Sequence, residues 1–245
     1  MEYGSRVDTH QLRVSLIQAS KGSKAFIGDT RGCVLEAFEV ILQHLHESTE
    51  LCPGSCLMHS VFTLTSSYSA TCCQVVNSET EDRYTLTLPG MLLLSNYKTL
   101  GLSTDLNIVI NSMISAQLLK YFKCSCGSLL TARPSLQLPS LFTVSVLWDS
   151  SQMKDSELLF EGMNKKIDLR EIFNAVECDG SPEYDLQSMV CYSRFLKHYI
   201  SVVKQQNGKW TVLSDERKFS TGWGVVNFSL KVLGLAPVLL FYGKG

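Results

Sequence analysis

Between Tyr184 and Tyr242 short apolar–polar runs alternate with turn-forming residues, and this pattern commits that part of the chain to antiparallel strands. Tyr184 to Tyr192 alternates loosely around Leu186, Met189 and Cys191, and Tyr199 to Lys204 carries Ile200, Val202 and Val203. Successive strand side chains point to opposite faces, so both runs read as half-buried. Gln205-Gln206-Asn207-Gly208 has hairpin-turn chemistry, and Trp210 to Leu213 forms the returning strand. After a loop, Pro237 to Tyr242 closes the region as a buried apolar strand. One imidazole, in Lys197-His198-Tyr199, stands at the mouth of this hairpin.

A sheet of this kind needs a core to rest on. The 245 residues suffice for one sizeable domain or two small ones, and an apolar fraction of 45% supplies the interior. A formal charge of -1 without a strongly basic patch argues against phosphate-driven nucleic-acid binding. Apolar runs such as Met91 to Leu94 and Ala236 to Phe241 are far too short to span a bilayer. Met1 to His10 is polar and lacks the apolar segment of a signal peptide, so the expectation is an intracellular protein, cytoplasmic or nuclear, without a membrane partner. The nine cysteines are an odd number, which favours reduced thiols or metal ligands over a disulfide framework.

Leu12 to Ile17 forms at most a short element within a polar, Gly-rich start. From Asp29 onward Val34, Leu35, Phe38, Ile41, Leu42 and Leu45 recur at three- and four-residue spacing, predicting a core helix that Asp29 or Thr30 caps. Cys33 near its start reads as a buried structural thiol rather than a nucleophile. Cys52, Cys56 and His59 cluster around Pro53-Gly54-Ser55, and His59 to Thr65 reads as a strand. Arg83 to Leu94 reads as a returning strand and Asp105 to Phe122 as a helix. Cys72-Cys73 and Cys124-Ser125-Cys126 then lie at the ends of such elements. Zinc knuckles use Cys-x-x-Cys, so that two thiolates reach one tetrahedral ion while backbone amides bend round them. Neither pair has that spacing, and structural zinc on Cys72, Cys73, Cys124 and Cys126 stands beside the alternative of reduced thiols in a small hairpin subdomain.

Ser140 to Asp149 is nearly continuously apolar and reads as a central strand buried on both sides. Ser156 to Met163 and Asp168 to Ala175 read as short helices, the second opened by an Asp168–Glu171 capping box. The whole is a mixed α+β domain with an inserted hairpin subdomain.

The order of pieces resembles a known family. Gly28-Asp29 opening onto a helix that ends in Leu45-His46, two cysteine sites separated by an insertion, Leu147-Trp148-Asp149, His198-Tyr199, Trp210 to Asp215 and a closing Leu239 to Tyr242 resemble the ubiquitin-specific protease family. Cys52, Cys56, His59 and Phe62, with Val190-Cys191-Tyr192 before the His-Tyr pair, are similar to its divergent branch, some members of which are regarded as inactive. The resemblance implies a papain-like cysteine protease fold over residues 10–243, shaped as a hand. A partial helical thumb would occupy 10–50, a fingers-like β insertion 51–135, and a β palm with the His box 136–243.

That family cleaves after the terminal Gly of ubiquitin. A Cys thiolate attacks, a His moves the proton, and an Asp or Asn orients the imidazole. The resemblance gives His198 the role of the base. Ser214 stands where the family places its Asp or Asn; a hydroxyl accepts a hydrogen bond but brings no charge to an imidazolium, and the resemblance leaves Asp215, the next residue, to take that place or to assist as a neighbouring acid. The family's Gly-x-Asn-x-Gly-x-x-Cys nucleophile box has no counterpart among residues 1–245, and Met1 to Gly32 contains no Cys. No cofactor is required for such chemistry. The expectation is a ubiquitin-specific-protease-like domain that does not cleave and acts by binding ubiquitin or protein, as an interaction scaffold, with ubiquitin or a ubiquitinated protein as its partner. The alternative is a cysteine-type deubiquitinase whose N-terminal Cys box is absent from this sequence; a purely structural remnant is a third reading.

Overall fold

The computed structural model describes residues 34–47, 56–73, 75–101, 104–149, 153, 155–163, 165–214 and 217–245. The chain divides into two compact units, residues 1–60 and 61–245. In the first, helix α1 spans Val34–Glu47, and helix α2, Leu57–Phe62, starts near the unit's end. The apolar spacing from Val34 onward predicted α1; Asp29, Thr30 and Cys33, and the Leu12 to Ile17 stretch, lie outside the described residues.

The second unit is built on strands. Among the described residues an eight-stranded sheet runs in the order β13-β12-β11-β10-β14-β7-β3, with β8 paired to β10. These strands are β3 (Leu86–Pro89), β7 (Leu141–Leu147), β8 (Lys166–Asp168), β10 (Glu183–Ser193), β11 (His198–Lys204), β12 (Trp210–Leu213), β13 (Lys218–Thr221) and β14 (Leu235–Lys244). All pairings are antiparallel except the parallel β3–β7 edge. The expected hairpin strands are therefore present, and the interruption of alternation between Leu186 and Met189 has a physical cause. The β10–β14 register slips between Leu186 and Ser188, a bulge that returns Met189 and Cys191 to the buried face. Strand β7 is buried on both faces, Phe142, Val144 and Val146 on one and Thr143 and Ser145 on the other, as its continuous apolarity implied.

Helices α3 (Gly90–Leu100), α4 (Leu106–Leu118), α6 (Leu169–Phe173) and α7 (Trp223–Val232) line this sheet's core with Leu93, Tyr97, Val109, Ile110, Phe173 and Val226. A 3-10 turn, Ser156–Leu158, continues into the short helix α5, Leu159–Gly162. Asp105 caps α4 by accepting from the Asn107 amide at 2.7 Å. Asp168 caps α6 as expected, but the box is closed differently. Asn107 accepts from the Asp168 amide at 3.1 Å and donates to Glu171 at 3.1 Å, so α4 supplies the return bond that Glu171 would otherwise make.

A second sheet, β2-β1-β6-β9, comprises β1 (Leu64–Cys72), β2 (Val75–Arg83), β6 (Pro134–Gln137) and β9 (Glu177–Cys178), and a separate hairpin pairs β4 (Lys120–Lys123) with β5 (Leu129–Ala132).

Four local expectations are corrected. The strand expected over His59 to Thr65 is α2 as far as Phe62, with β1 starting only at Leu64. Arg83 to Leu94 is not one strand: it holds the end of β2, β3 and the start of α3, because Pro89 has no amide to continue a ladder and suits a helix entrance. The helix expected to reach Phe122 stops at Leu118 and gives way to β4. The loop expected before the closing strand contains β13 and α7, whose Trp223, Val226 and Leu230 recur at helical spacing.

Trp148, directly after β7, fastens three elements. Its indole Nε1 donates to the Pro237 carbonyl of β14 at 2.6 Å, and its ring lies where a Cβ on Gly90 would stand, 2.6–2.9 Å from three ring carbons. Gly90→Ala therefore forces the hydrogen-bonded indole aside and is expected to cost about 1–3 kcal/mol in urea unfolding. A change confined to the helix-propensity gain of Ala would contradict this packing.

Candidate functional site

His198 owes its position to strand register. β10 and β11 pair with Ser193 opposite His198 and Tyr192 opposite Tyr199, and residues 194–197 turn the chain between them. The turn is closed by Ser193 Oγ, which accepts from the Leu196 amide at 3.1 Å, and by Lys197 in the left-handed region at φ 50°. The Phe195 ring lies against Gly234, whose φ is +56° and whose added Cβ would stand 2.7 Å from that ring. The imidazole thus leaves a fixed corner at the start of an interior strand of the large sheet and is half-buried.

Strand β12 brings the second group. It pairs with β11 through Leu213 opposite Ser201, and the next residue, Ser214, is held by reciprocal backbone bonds with Arg217 at 2.9 and 3.3 Å. Ser214 Oγ lies 3.4 Å from His198 Nε2, a long contact between an imidazole and a neutral hydroxyl. The structure therefore brings His198 and Ser214 together, while Asp215 lies outside the described residues. An uncharged hydroxyl can orient an imidazole, but it contributes no Coulombic stabilisation when the ring becomes cationic.

The seven described cysteines have their own places. Cys191 is fully buried on β10, where desolvation pushes its thiol well above the ordinary range, and Cys178 lies on β9. Cys56 lies in the unit of residues 1–60 beside His46 and His59, a grouping whose histidine from α1 the sequence reading did not join to the Cys56–His59 pair. The remaining four, Cys72, Cys73, Cys124 and Cys126, have all their sulfur atoms within 4.8 Å of one another.

That cluster forms where two hairpin tips meet. Cys72 ends β1 and Cys73 turns towards β2 with φ 48°; this left-handed step breaks strand alternation and lets adjacent cysteines face one point. Cys124 and Cys126 lie in the β4–β5 turn, which is closed by Cys124 N–H to Ser128 O at 3.0 Å and Gly127 N–H to Cys124 O at 2.9 Å. Gly127 has φ +87°, a conformation that suits glycine. The Cys72 sulfur is 3.7 Å from Cys73 and 3.4 Å from Cys126. A tetrahedral zinc with Zn–S bonds of about 2.3 Å has S–S edges of about 3.8 Å, so four thiolates at these separations fit the ion. The Ser128 hydroxyl and amide hold the Cys126 thiol down to about 6, with Cys124 and Cys72 adding to the effect. The Cys72 thiol is pushed up to about 12 by its contacts with Cys126, Cys124 and Cys73. A cation binding there would displace the protons carried by the sulfurs.

Lys120 ties the two hairpins together. It donates to Glu81, stands 3.5 Å from Glu79, and lies 5.5 Å from the centre of the Tyr68 ring.

A family model described as ubiquitin carboxyl-terminal hydrolase matches residues 5–242. No curated protein matches at a significant level. Among solved structures, a chain of the SAGA Ubp8/Sgf11/Sus1/Sgf73 DUB module is similar at a TM-score of 0.62 and 19% identity, over 98% of this chain and 55% of that one. The same kind of module bound to monoubiquitin gives 0.61 and 17%, over 93% and 52%. The Saccharomyces cerevisiae Pan2 pseudoubiquitin hydrolase–RNA exonuclease module, in complex with AAUUAA RNA, gives 0.56 and 12%, over 96% and 42%. These likenesses establish the α+β fold, and the chain spans about half the length of the solved chains it resembles. No helix among the described residues is long and apolar enough to cross a membrane.

The Lys120 clamp has a pH signature. Lys120 first, and Arg83 next, hold the Glu81 carboxyl below its ordinary 4.5 against the opposing effect of partial burial. A depressed carboxylate stabilises the fold above its unfolded-state value and loses that contribution as pH falls through its folded-state value. Glu81→Gln should therefore cost about 1 kcal/mol or less at pH 7 and nothing at pH values below the folded carboxyl's titration, measured by urea unfolding at both. An equal loss at both pH values would contradict the ion pair as its source.

Proposed function

The chain belongs to the ubiquitin carboxyl-terminal hydrolase family, and we propose that these 245 residues act in it as a ubiquitin-recognising module that does not itself cleave. The observation that carries this reading is the pairing of His198 Nε2 with Ser214 Oγ at 3.4 Å, a hydroxyl where the family's chemistry calls for a group that orients and stabilises an imidazolium. The placement of the seven described cysteines supports it: four at the hairpin tips, one with two histidines, one sealed in the core and one on β9. A proton-transfer group without a nucleophile and an oxyanion site contributes little rate by itself.

On this reading residues 10–50 are part of a thumb, 51–135 form fingers, and 136–243 form the palm that carries His198. The partner is ubiquitin or a ubiquitinated protein, and neither nucleic acid nor membrane is involved. The domain works inside the cell, in cytoplasm or nucleus. The intact corner that presents His198 favours one second reading, a cysteine-type deubiquitinase that acquires its nucleophile from residues outside this sequence.

The deciding experiment has two channels on the purified chain: ubiquitin binding by titration, and release of a fluorophore from the ubiquitin C-terminus. Saturable binding without release is expected, and His198→Ala should leave the binding unchanged. Release that His198→Ala abolishes would overturn the non-cleaving reading, and absence of binding would overturn recognition.

We also propose that one zinc ion occupies the Cys72, Cys73, Cys124 and Cys126 cluster and holds the hairpin tips in register. Zinc content should fall by one equivalent per chain in Cys124→Ser, with loss of protection from amide exchange along β1–β2 and β4–β5. Unchanged zinc content in that variant would exclude the assignment.

A further inference from the structure

In the unit formed by residues 1–60, three donor atoms converge on one point. His46 lies in the last turn of α1, Cys56 directly precedes α2, and His59 lies within α2. The Ser60 amide donates to the Cys56 carbonyl at 3.1 Å, which starts the helical winding and sets Cys56 and His59, three positions apart, on one side. The Cys56 sulfur is 3.0 Å from His59 Nδ1 and 3.6 Å from His46 Nδ1. The two rings have centroids 5.1 Å apart, inclined at 57°, and the three donor atoms all lie within 4.8 Å of one another. Cys56 is buried at 3% exposure, and both histidines are half-buried.

Hydrogen bonding among these groups accounts poorly for two ring nitrogens of the same type aimed at one sulfur. A neutral thiol has a single proton and can donate it to one Nδ1; the other imidazole must then hold its own proton on Nδ1 and point it at a weak acceptor. A cation removes the conflict, because both Nδ1 lone pairs and the thiolate are donors to it. Tetrahedral zinc with Zn–S near 2.3 Å and Zn–N near 2.0–2.1 Å has S–N edges of about 3.5 Å and an N–N edge of about 3.4 Å. The two sulfur–nitrogen separations, 3.0 and 3.6 Å, bracket that edge. Among the described residues the donor set is nitrogen and sulfur with no carboxylate, which favours zinc over magnesium or calcium.

The geometry points to a second zinc site, formed by His46, Cys56 and His59, that clasps the end of α1 to the start of α2. It is separate from the four-cysteine cluster and different from it in chemistry, one thiolate and two imidazoles against four thiolates. Binding expels the Cys56 proton to solvent, leaves both histidines neutral and metallated at Nδ1, and leaves the remaining coordination position to a further donor. The ion replaces the ten-residue span between His46 and Cys56 with a short bridge, so its removal should loosen both helices.

Cobalt(II) reports on the two sites separately. In the full chain stripped of metal, titration should fill two sites: a thiolate-rich one and a second whose d–d bands lie at the shorter wavelengths of mixed imidazole–thiolate coordination. His46→Asn and His59→Asn, each checked for native circular dichroism, should abolish only the second set or weaken its binding at least about tenfold. Nitrogen-15 spectra of the unsubstituted chain give a readout that needs no variant: zinc should shift the Nδ1 resonances of two histidines to values of metal-bound imidazole and reverse on chelation. A chain that shows no mixed-ligand bands, or zinc-insensitive Nδ1 resonances for His46 and His59, would overturn the assignment. So would bands that survive both histidine substitutions in folded protein.

Discussion

Strand β10 carries hydrogen bonds on both edges, and the candidate site depends on its register. Along one edge it pairs with β14 from Tyr184 to Ser193; along the other it pairs first with β8 and then with β11. Because strand side chains alternate, a slip of one residue in the β10–β11 ladder would move His198 to the opposite face and put Tyr199, Ser201 and Val203 where Ile200 and Val202 are buried. The closure of the turn by Ser193 fixes that register at the hairpin end, and the bulge at Leu186–Ser188 sets the register of β10 against β14 on the other edge. The β12 partner then sets Ser214 against His198, so the contact between them follows from sheet pairing rather than from a flexible approach of two side chains.

Much of this was legible because it rests on local chemistry. The alternating runs around Ile200 and Trp210 and the Asn207-Gly208 turn identify their strands without reference to the rest of the chain. The helix over Trp223–Val232 was not identified, since its outward face carries Val225, Phe228 and Val232 as exposed apolar residues and blurs the stripe made by Trp223, Val226 and Leu230. The reading of His59 to Thr65 as a strand failed for a related reason: six residues are too few for either period to dominate, and the helix is set by its surroundings.

The cysteine clusters show what spacing rules miss. Knuckle spacing presumes that both ligands of a pair come from one regular turn, whereas Cys72 and Cys73 converge through a left-handed residue at a strand end. Cys124 and Cys126 are carried to them by pairing along another hairpin and by the Lys120 clamp, which no local window contains. His46 likewise meets Cys56 and His59 only after α1 and α2 have formed. Long-range pairing converts weak sequence signals into dense ligand sets. The ubiquitin-hydrolase-type fold here sets an imidazole beside a hydroxyl at the end of β11, and groups most of its described thiols at sites suited to binding ions.

The central proposal is that these 245 residues recognise ubiquitin without cleaving it, so that no cysteine reacts at the ubiquitin C-terminus. A ubiquitin probe with a thiol-reactive electrophile at its C-terminus, incubated with the chain and read by intact-protein mass spectrometry, tests it most directly. The account predicts no covalent adduct under conditions in which unmodified ubiquitin binds. An adduct that maps to a single cysteine and disappears in His198→Ala would contradict it.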